Sequence, residues 1–297
     1  MRTSHALRIF SFFAFLAVGY ILSGVPVIGQ EKIKEKDRSY AKQYKDKAFC
    51  SGDNWNNGDN VSFREAREMA IPASGSINVD SGRNGGISVK GENRSDILVR
   101  ACVNGWADSE EAAKALVTGV RIDTAGGTVK ADSPSEENWS VSFEVLVPRN
   151  TSLNLRAHNG GISIRSVEGT IEFETTNGGV NVADLAGTVK GRTTNGGVNV
   201  SLTGNAWKGS GLEVTTTNGG VNLTVPETYA ANFETGTTNG GFKSEVAALT
   251  VEEENELGRT DVSHRSKRIR ASMNGGGADI RVMTTNGGIK IGALRNE

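Results

Sequence analysis

Residues able to hold a metal are scarce in this 297-residue chain, which has two cysteines and three histidines. His5, His158 and His264 are scattered, and with two cysteines they offer no metal-ligand spacing. A charge excess is missing too. The net charge is −1, so no strong pull toward nucleic acid or anionic membrane follows for the chain as a whole. Catalytic signatures are equally absent. There is no Gly-x-Ser-x-Gly elbow, no phosphate loop and no His-Glu-x-x-His. These gaps exclude the commonest hydrolase, nucleotide-binding and zinc-protease designs and leave no cofactor to expect.

The two cysteines, Cys50 and Cys102, form an even pair. In an oxidising compartment that predicts a disulfide, against the alternative of two buried free thiols. Closing that loop would be worth about 4 kcal/mol by loop entropy. It would pin the segment around Cys50 to the body of the protein.

Glycine is what the chain has in excess, with 38 residues, roughly twice the typical ~7% share. The N-terminus has a separate character. Arg2 and Arg8 precede an uncharged run from Ile9 to Gln30, with an apolar centre at Phe10–Val18 and small residues at Val27-Ile28-Gly29. This predicts a signal peptide over 1–29, cleaved before Gln30; an uncleaved membrane anchor is the alternative. Residues 30–48 are Lys-rich and predict a basic linker. An N-terminal extension, 49–74, follows, and then a repeat domain, 75–297.

Asn-Gly-Gly recurs at Asn84, Asn159, Asn177, Asn195, Asn218, Asn239, Asn274 and Asn286. Most copies precede an alternating triplet such as Val-Asn-Val, and five follow Thr-Thr. Around Asn177, Ile171 and Phe173 alternate with Glu172 and Glu174, and Val180 and Val182 with Asn181. Two half-buried strands therefore flank each turn. Asn followed by Gly accepts positive φ at both turn positions, and the second Gly spares a clash where the chain re-enters a strand. A hairpin meander and a parallel β-solenoid both satisfy that phase. Near-identity of successive units, Thr-Thr-Asn-Gly-Gly-Val-Asn-Val at 175–182 and 193–200, favours the solenoid, where like residues stack about 4.8 Å apart and Asn side chains bond amide to amide. The fold class expected is all-β: a parallel solenoid of NGG-turn repeats with one short helix near 108–118. That helix is predicted with Asp108 as cap, Glu111 three residues on and a stop at Gly119. Its apolar face would be Ala112, Ala115 and Leu116, covering an open end or side of the stack.

The order ILVRACV, SEEAAKAL, VRIDTAGGTVKA, WSVSFEVLVPRNTSLNL, the NGG repeats and a closing RIRASMNGGGADIRVMTTNGGIKI resembles the bacterial exported β-strand-repeat proteins called "putative adhesins", a domain family of unknown function. The resemblance covers about Ile71 to Gly292. It implies a solenoid-like β fold in exported or envelope proteins and supplies no catalytic residues. That family often has an acid after Asn-Gly, where this chain mostly has Gly.

Each motif admits a sharper chemistry. Calcium would need an oxygen cluster with several anions. The outward positions after the turns are Ser88, Asn181, Asn199, Asn222, Lys243 and Lys290, and only Asp279 in GGGADI approaches a calcium repeat. Adjacent threonines point to opposite faces of a strand, so Thr-Thr exposes a single narrow column for any surface matching. A glycosidase would need two carboxylates flanking a bond. Glu172 and Glu174 instead have Lys190 and Arg192 as counterparts in the next unit, and the run Glu252–Glu256 predicts a solvated loop. Trp55, Trp106, Trp139 and Trp207 could stack on a sugar, though closing a hydrophobic end is the commoner use. The expectation is therefore a non-catalytic binding or scaffold protein, exported to the periplasm or cell surface. Its partner would be a protein or glycan of the envelope. Nucleic acid is not expected, and membrane contact only if the leader stays uncleaved. A carbohydrate-active solenoid enzyme and an envelope-assembly partner are the alternatives.

Overall fold

Alternation of one buried and one exposed side chain governs most of the chain, and it is satisfied by strands. The computed structural model describes residues 49–51, 60–249 and 267–294. The expected leader and basic linker, Trp55 and the Glu252–Glu256 run lie outside the described residues.

The first part comprises β1 (Val61–Pro72), β2 (Ser76–Asp80), β3 (Ile87–Glu92), β4 (Asp96–Ala107), α1 (Glu110–Gly119), β5 (Arg121–Asp123), β6 (Thr128–Asp132) and β7 (Trp139–Pro148). The most regular repeats supply β8 (Ser152–Asn159), β9 (Ile162–Arg165), β10 (Glu168–Asn177), β11 (Val180–Ala183), β12 (Ala186–Asn195), β13 (Val198–Ser201), β14 (Gly211–Asn218) and β15 (Val221–Pro226). Last come β16 (Ala231–Asn239), β17 (Phe242–Ser244), β18 (Lys267–Met273), β19 (Asp279–Asn286) and β20 (Ile289–Leu294).

Two ten-stranded sheets result. One runs β1-β4-β7-β3-β9-β11-β13-β15-β20-β17, and the other β18-β16-β19-β14-β12-β10-β8-β2-β6-β5. From β8 to β15 the chain alternates between them, so each unit adds one strand to each sheet. Successive units pair parallel and in register: Ile171 lies beside Val189, Asn177 beside Asn195, and Val180 beside Val198. The inward residues Ile171, Phe173, Val180, Val182, Val189 and Val198 join one continuous core. Burying each such side chain contributes about 1.5–3 kcal/mol. Phe173 needs extra room, which its neighbour Gly191 provides, because a Cβ there would sit 2.0 Å from the Phe173 ring.

Not every pairing is parallel. β4 is antiparallel to both β1 and β7, β5 to β6, and β18 to β16. The expected all-parallel stack is therefore corrected at both ends, where antiparallel strands close it. β1 comes from the segment expected to be an N-terminal extension, yet it forms the first strand of its sheet.

Order along the stack also departs from order in sequence. β19 lies between β14 and β16, and β20 between β15 and β17. The unit carrying Asn286 is thus inserted between those carrying Asn218 and Asn239.

α1 begins one residue later than expected. Ser109, not Asp108, is the N-cap, and its side chain accepts a hydrogen bond from the Ala112 N–H. Its packed face is also different. Ala113 and Val117 are buried, while Ala112 and Ala115 are exposed. Gly105 on β4 explains the choice, since it lets the helix approach until a Cβ there would meet the Ala113 carbonyl at 2.9 Å. Arg67 of β1 then donates to two carbonyls at the helix C-terminus, that of Val120 and that of Val117, which also accepts the Val120 N–H. Among the described residues no helix is long and apolar enough to cross a membrane.

Candidate functional site

Seven of the eight Asn-Gly-Gly turns sit at the corner where the chain passes from one sheet to the other. Their asparagines form a continuous amide ladder. Asn159 donates to Asn84, Asn177 to Asn159, Asn195 to Asn177, Asn218 to Asn195, Asn286 to Asn218 and Asn239 to Asn286, at 2.8–3.0 Å. Each inner amide thus gives one N–H and receives one, as identical stacked rungs allow. Asn274 stands apart. It donates to the carbonyls of Glu227 and Tyr229 instead.

The glycine requirement has a different origin from the one expected. Asn274 and Gly275 have φ of 49° and 92°, the positive pair expected of all eight turns. None of the seven ladder asparagines has positive φ, and among the glycines that follow them only Gly85 does. The others are demanded by stacking. A Cβ on Gly178, Gly196, Gly219 or Gly287 would lie 2.0 Å from the carbonyl oxygen of the first glycine in the adjacent rung. At the second glycine a Cβ would find an ordinary 3.5 Å at Gly179, Gly197 and Gly220, and a tighter 2.9–3.0 Å at Gly161 and Gly86. From Gly178 onward it is the first Gly, not the second, that has no room for a side chain.

The Thr-Thr pair completes the corner. The first threonine of each pair is buried, and its hydroxyl donates to that crowded glycine carbonyl: Thr175 to Gly160, Thr193 to Gly178, Thr216 to Gly196, Thr284 to Gly219 and Thr237 to Gly287, at 2.7–2.8 Å. Ala157 stands where the next rung has Thr175, and the Gly85 carbonyl is served instead by Ser81 of its own rung. Thr176, Thr194, Thr217, Thr238 and Thr285, the second members, face outward. A second device turns the opposite corner. Ser166 and Asp184 have φ of 57° and 53°, and the Asp184 carboxylate accepts hydrogen bonds from Ser166 and Thr203. Sequence reasoning missed this corner; the spacing of 18 from Ser166 to Asp184, equal to one repeat, was its available signal.

Outward positions line up as columns. Ser88, Ser163, Asn181, Asn199, Asn222, Lys290 and Lys243 form one, with Asn–Asn bonds of 2.7 and 2.8 Å in its middle. Two ammonium groups end it, which is unsuitable for a hard cation. Among the described residues no group of three or more His, Cys, Asp or Glu is placed to hold a metal ion.

The outer face of the other sheet carries a charged ladder. Glu172, Lys190, Glu213, Arg281 and Glu234 alternate in sign across adjacent strands. Asp80, Arg156, Glu174 and Arg192 do the same one position along. Arg192 meets Glu174 and Arg281 meets Glu213 at 2.6 Å, and Arg281, Arg270 and Arg268 gather on Glu234 at 3.3–3.5 Å. A shallow depression of about 320 Å³ crosses Arg156, Glu172, Glu174, Lys190, Arg192 and Glu213. Each acid there has a base in the next rung, and the surface is open, so no pair of carboxylates is walled off around a bond. Trp207 is no platform for a sugar: it is 8% exposed and donates its ring N–H to the Gly187 carbonyl. Trp139 likewise donates to Ser135.

Cys50 and Cys102 form a disulfide. It ties the segment before β1 to the outer face of β4, where Phe49 also stacks on Arg100 at 4.7 Å.

A two-sheet stack of repeated strands, laddered along its corners, defines a β-repeat protein. The family model described as Toastrack DUF4097 matches residues 53–292, and the chain belongs to that family, a domain of unknown function. Among solved structures it is similar to a "putative cell adhesion protein" from Clostridium sporogenes, at 11% identity and a TM-score of 0.39, covering 77% of this chain and all of the other. A "putative adhesin" from Bacteroides fragilis matches at 9% identity and 0.27, covering 78% and 97%. A "putative lipid binding protein" from Parabacteroides distasonis matches at 11% and 0.27, covering 79% and 97%. No curated protein matches the chain.

Proposed function

We propose that this protein is a non-catalytic binding or scaffold domain of the bacterial cell envelope, exported behind a cleaved leader and built as a β-solenoid of NGG rungs. The observation that carries this reading is the charged ladder. Its groups recur once per rung on an open face, so they present a repeating surface suited to an extended envelope glycan or protein, and no convergent site for chemistry. The disulfide supports the export half of the reading, because such bonds persist in oxidising compartments.

The test has two arms. Crosslinking in intact cells followed by purification should recover one stoichiometric envelope partner, and the purified protein should leave soluble and insoluble envelope glycans uncleaved. Turnover of a glycan that is abolished by Glu172→Gln or Glu174→Gln would replace the scaffold reading with an enzyme. Mass spectrometry of the mature chain should begin at Gln30; finding Met1–Gly29 attached would make it a membrane-anchored protein.

A further inference from the structure

β1 is twelve residues long and is the terminal strand of its sheet, hydrogen-bonded to β4 on one side. A strand with an open edge is a template for another strand. Its sequence is VSFREAREMAIP, and around Ala66 the charges are arranged as a mirror with opposite signs: Arg64 and Glu65 on one side, Arg67 and Glu68 on the other. We propose that β1 is a self-association edge, pairing antiparallel with β1 of a second copy about a two-fold axis at Ala66, so that the sheet continues from one molecule into the next.

In this register Arg64 faces Glu68 of the second copy, Glu65 faces Arg67, Phe63 faces Met69, and Val61 faces Ile71. Opposite charges and apolar pairs directly across a β ladder stabilise it, whereas like charges destabilise it. A two-fold antiparallel pair must centre on one residue, since only then do both copies keep the same face toward the core. Centring on Arg64, Glu65, Arg67 or Glu68 would each place that charge against itself. Ala66 is the one centre in this stretch that does not. The charges therefore do more than protect the edge from indiscriminate pairing; they admit one register and reject its neighbours.

The unpaired state of Arg64 fits this partner. Arg67 holds Glu65 and the helix carbonyls, and Glu68 lies 3.5 Å from Arg100. Arg64 has no ion-pair partner among the described residues, and the acid it would meet is on the second copy. The Cys50–Cys102 disulfide lies over the outer face of β4, and among the described residues no strand pairs with the other edge of β1.

The experiment is sedimentation of the full-length chain in detergent, from about 1 to 100 μM so that micromolar dissociation constants are spanned, with melting curves to verify folding. Wild type should show a dimer. Arg64→Glu, which sets two like-charge pairs in the interface, should raise its dissociation constant at least tenfold, and Arg64→Glu with Glu68→Arg should restore it. If Arg64→Glu folds poorly, the milder Arg64→Ala carries the test, with a smaller weakening in the same direction. A wild-type monomer throughout, or a dimer indifferent to these substitutions and so held by another surface such as the N-terminal apolar segment, overturns the proposal.

Discussion

Gly196→Ala and Gly197→Ala are chemically identical substitutions at adjacent positions, and the corner geometry separates them sharply. A Cβ on Gly196 would lie 2.0 Å from the Gly178 oxygen, 2.5 Å from its carbon and 2.9 Å from the Gly179 nitrogen. Carbon and oxygen tolerate about 3.3 Å, so the rungs must part locally by about 1.3 Å. Backbone is all that lies there, and no side chain can swing away. That displacement breaks the Thr193–Gly178 bond and the Asn195–Asn177 bond, each 2.8 Å, at about 1 kcal/mol apiece. Forcing extra volume into packed structure adds about 1–3 kcal/mol. Set against a gain of about 0.4–1 kcal/mol from stiffening the unfolded chain, the net loss is about 3 kcal/mol. For a domain of this size that lowers the melting temperature by about 6–12 °C. At Gly197 the nearest atom is the Gly220 oxygen at 3.5 Å, an ordinary contact. Only the unfolded-state gain remains, so Gly197→Ala should be neutral or raise the melting temperature slightly. Circular dichroism melts of the two variants beside wild type decide the matter. Equal effects, or a larger loss at Gly197, would refute the claim that stacking places these glycines.

Three further outcomes follow from the hydroxyls and the disulfide. Thr193→Val keeps the shape but removes the donor to the Gly178 carbonyl, and should cost about 1–3 kcal/mol in urea unfolding, whereas Thr194→Val on the outer face should cost little. Reduction of the Cys50–Cys102 disulfide, which closes a span of 52 residues, should lower stability by about 4 kcal/mol in the loop-entropy treatment, read as a shift in the denaturant midpoint with and without reductant. Burial pushes the Tyr229 hydroxyl up from 10.0 to about 12. The unfolded chain ionises first, so Tyr229 contributes no pH dependence below pH 10 and destabilises the fold between pH 10 and 12. The loss approaches about 3 kcal/mol. Tyr229→Phe should flatten that alkaline slope, and an unchanged slope would show that the hydroxyl titrates normally.

Strand positions were legible from alternation alone, because Ile171, Phe173, Val180 and Val182 bury every second residue whatever the neighbouring strand is. The ladder of Asn159, Asn177, Asn195 and Asn218 was legible for a related reason: identical residues at equal spacing make sense when they touch their own copies. What sequence could not show was the cause of the glycines. Asn-Gly has a strong local meaning as a hairpin turn, true at Asn274, and that local meaning hid the carbonyl of the adjacent rung, which lies 18 or more residues away. The helix face failed for a similar reason. Ala112, Ala115 and Leu116 are as apolar as Ala113 and Val117, and only Gly105, a partner from another strand, selects between them. Trp207 lies outside the strands, and only the Gly187 carbonyl, twenty residues away in sequence, shows why its ring is buried and not offered to a sugar.

The insertion of the Asn286 unit between those of Asn218 and Asn239 sets a problem of timing. A chain emerging N-terminus first presents β16 and β17 while β14 and β15 still offer an open edge with the same Thr-Thr-Asn-Gly-Gly signature. Nothing in that signature tells β16 to wait. Its provisional docking would build a stack one rung short, and β19 would then have to displace it or add beyond it. Completion of the native order therefore waits for β19 and β20, and a chain truncated before Asp279 should settle into a shorter stack in which Asn239 bonds directly to Asn218.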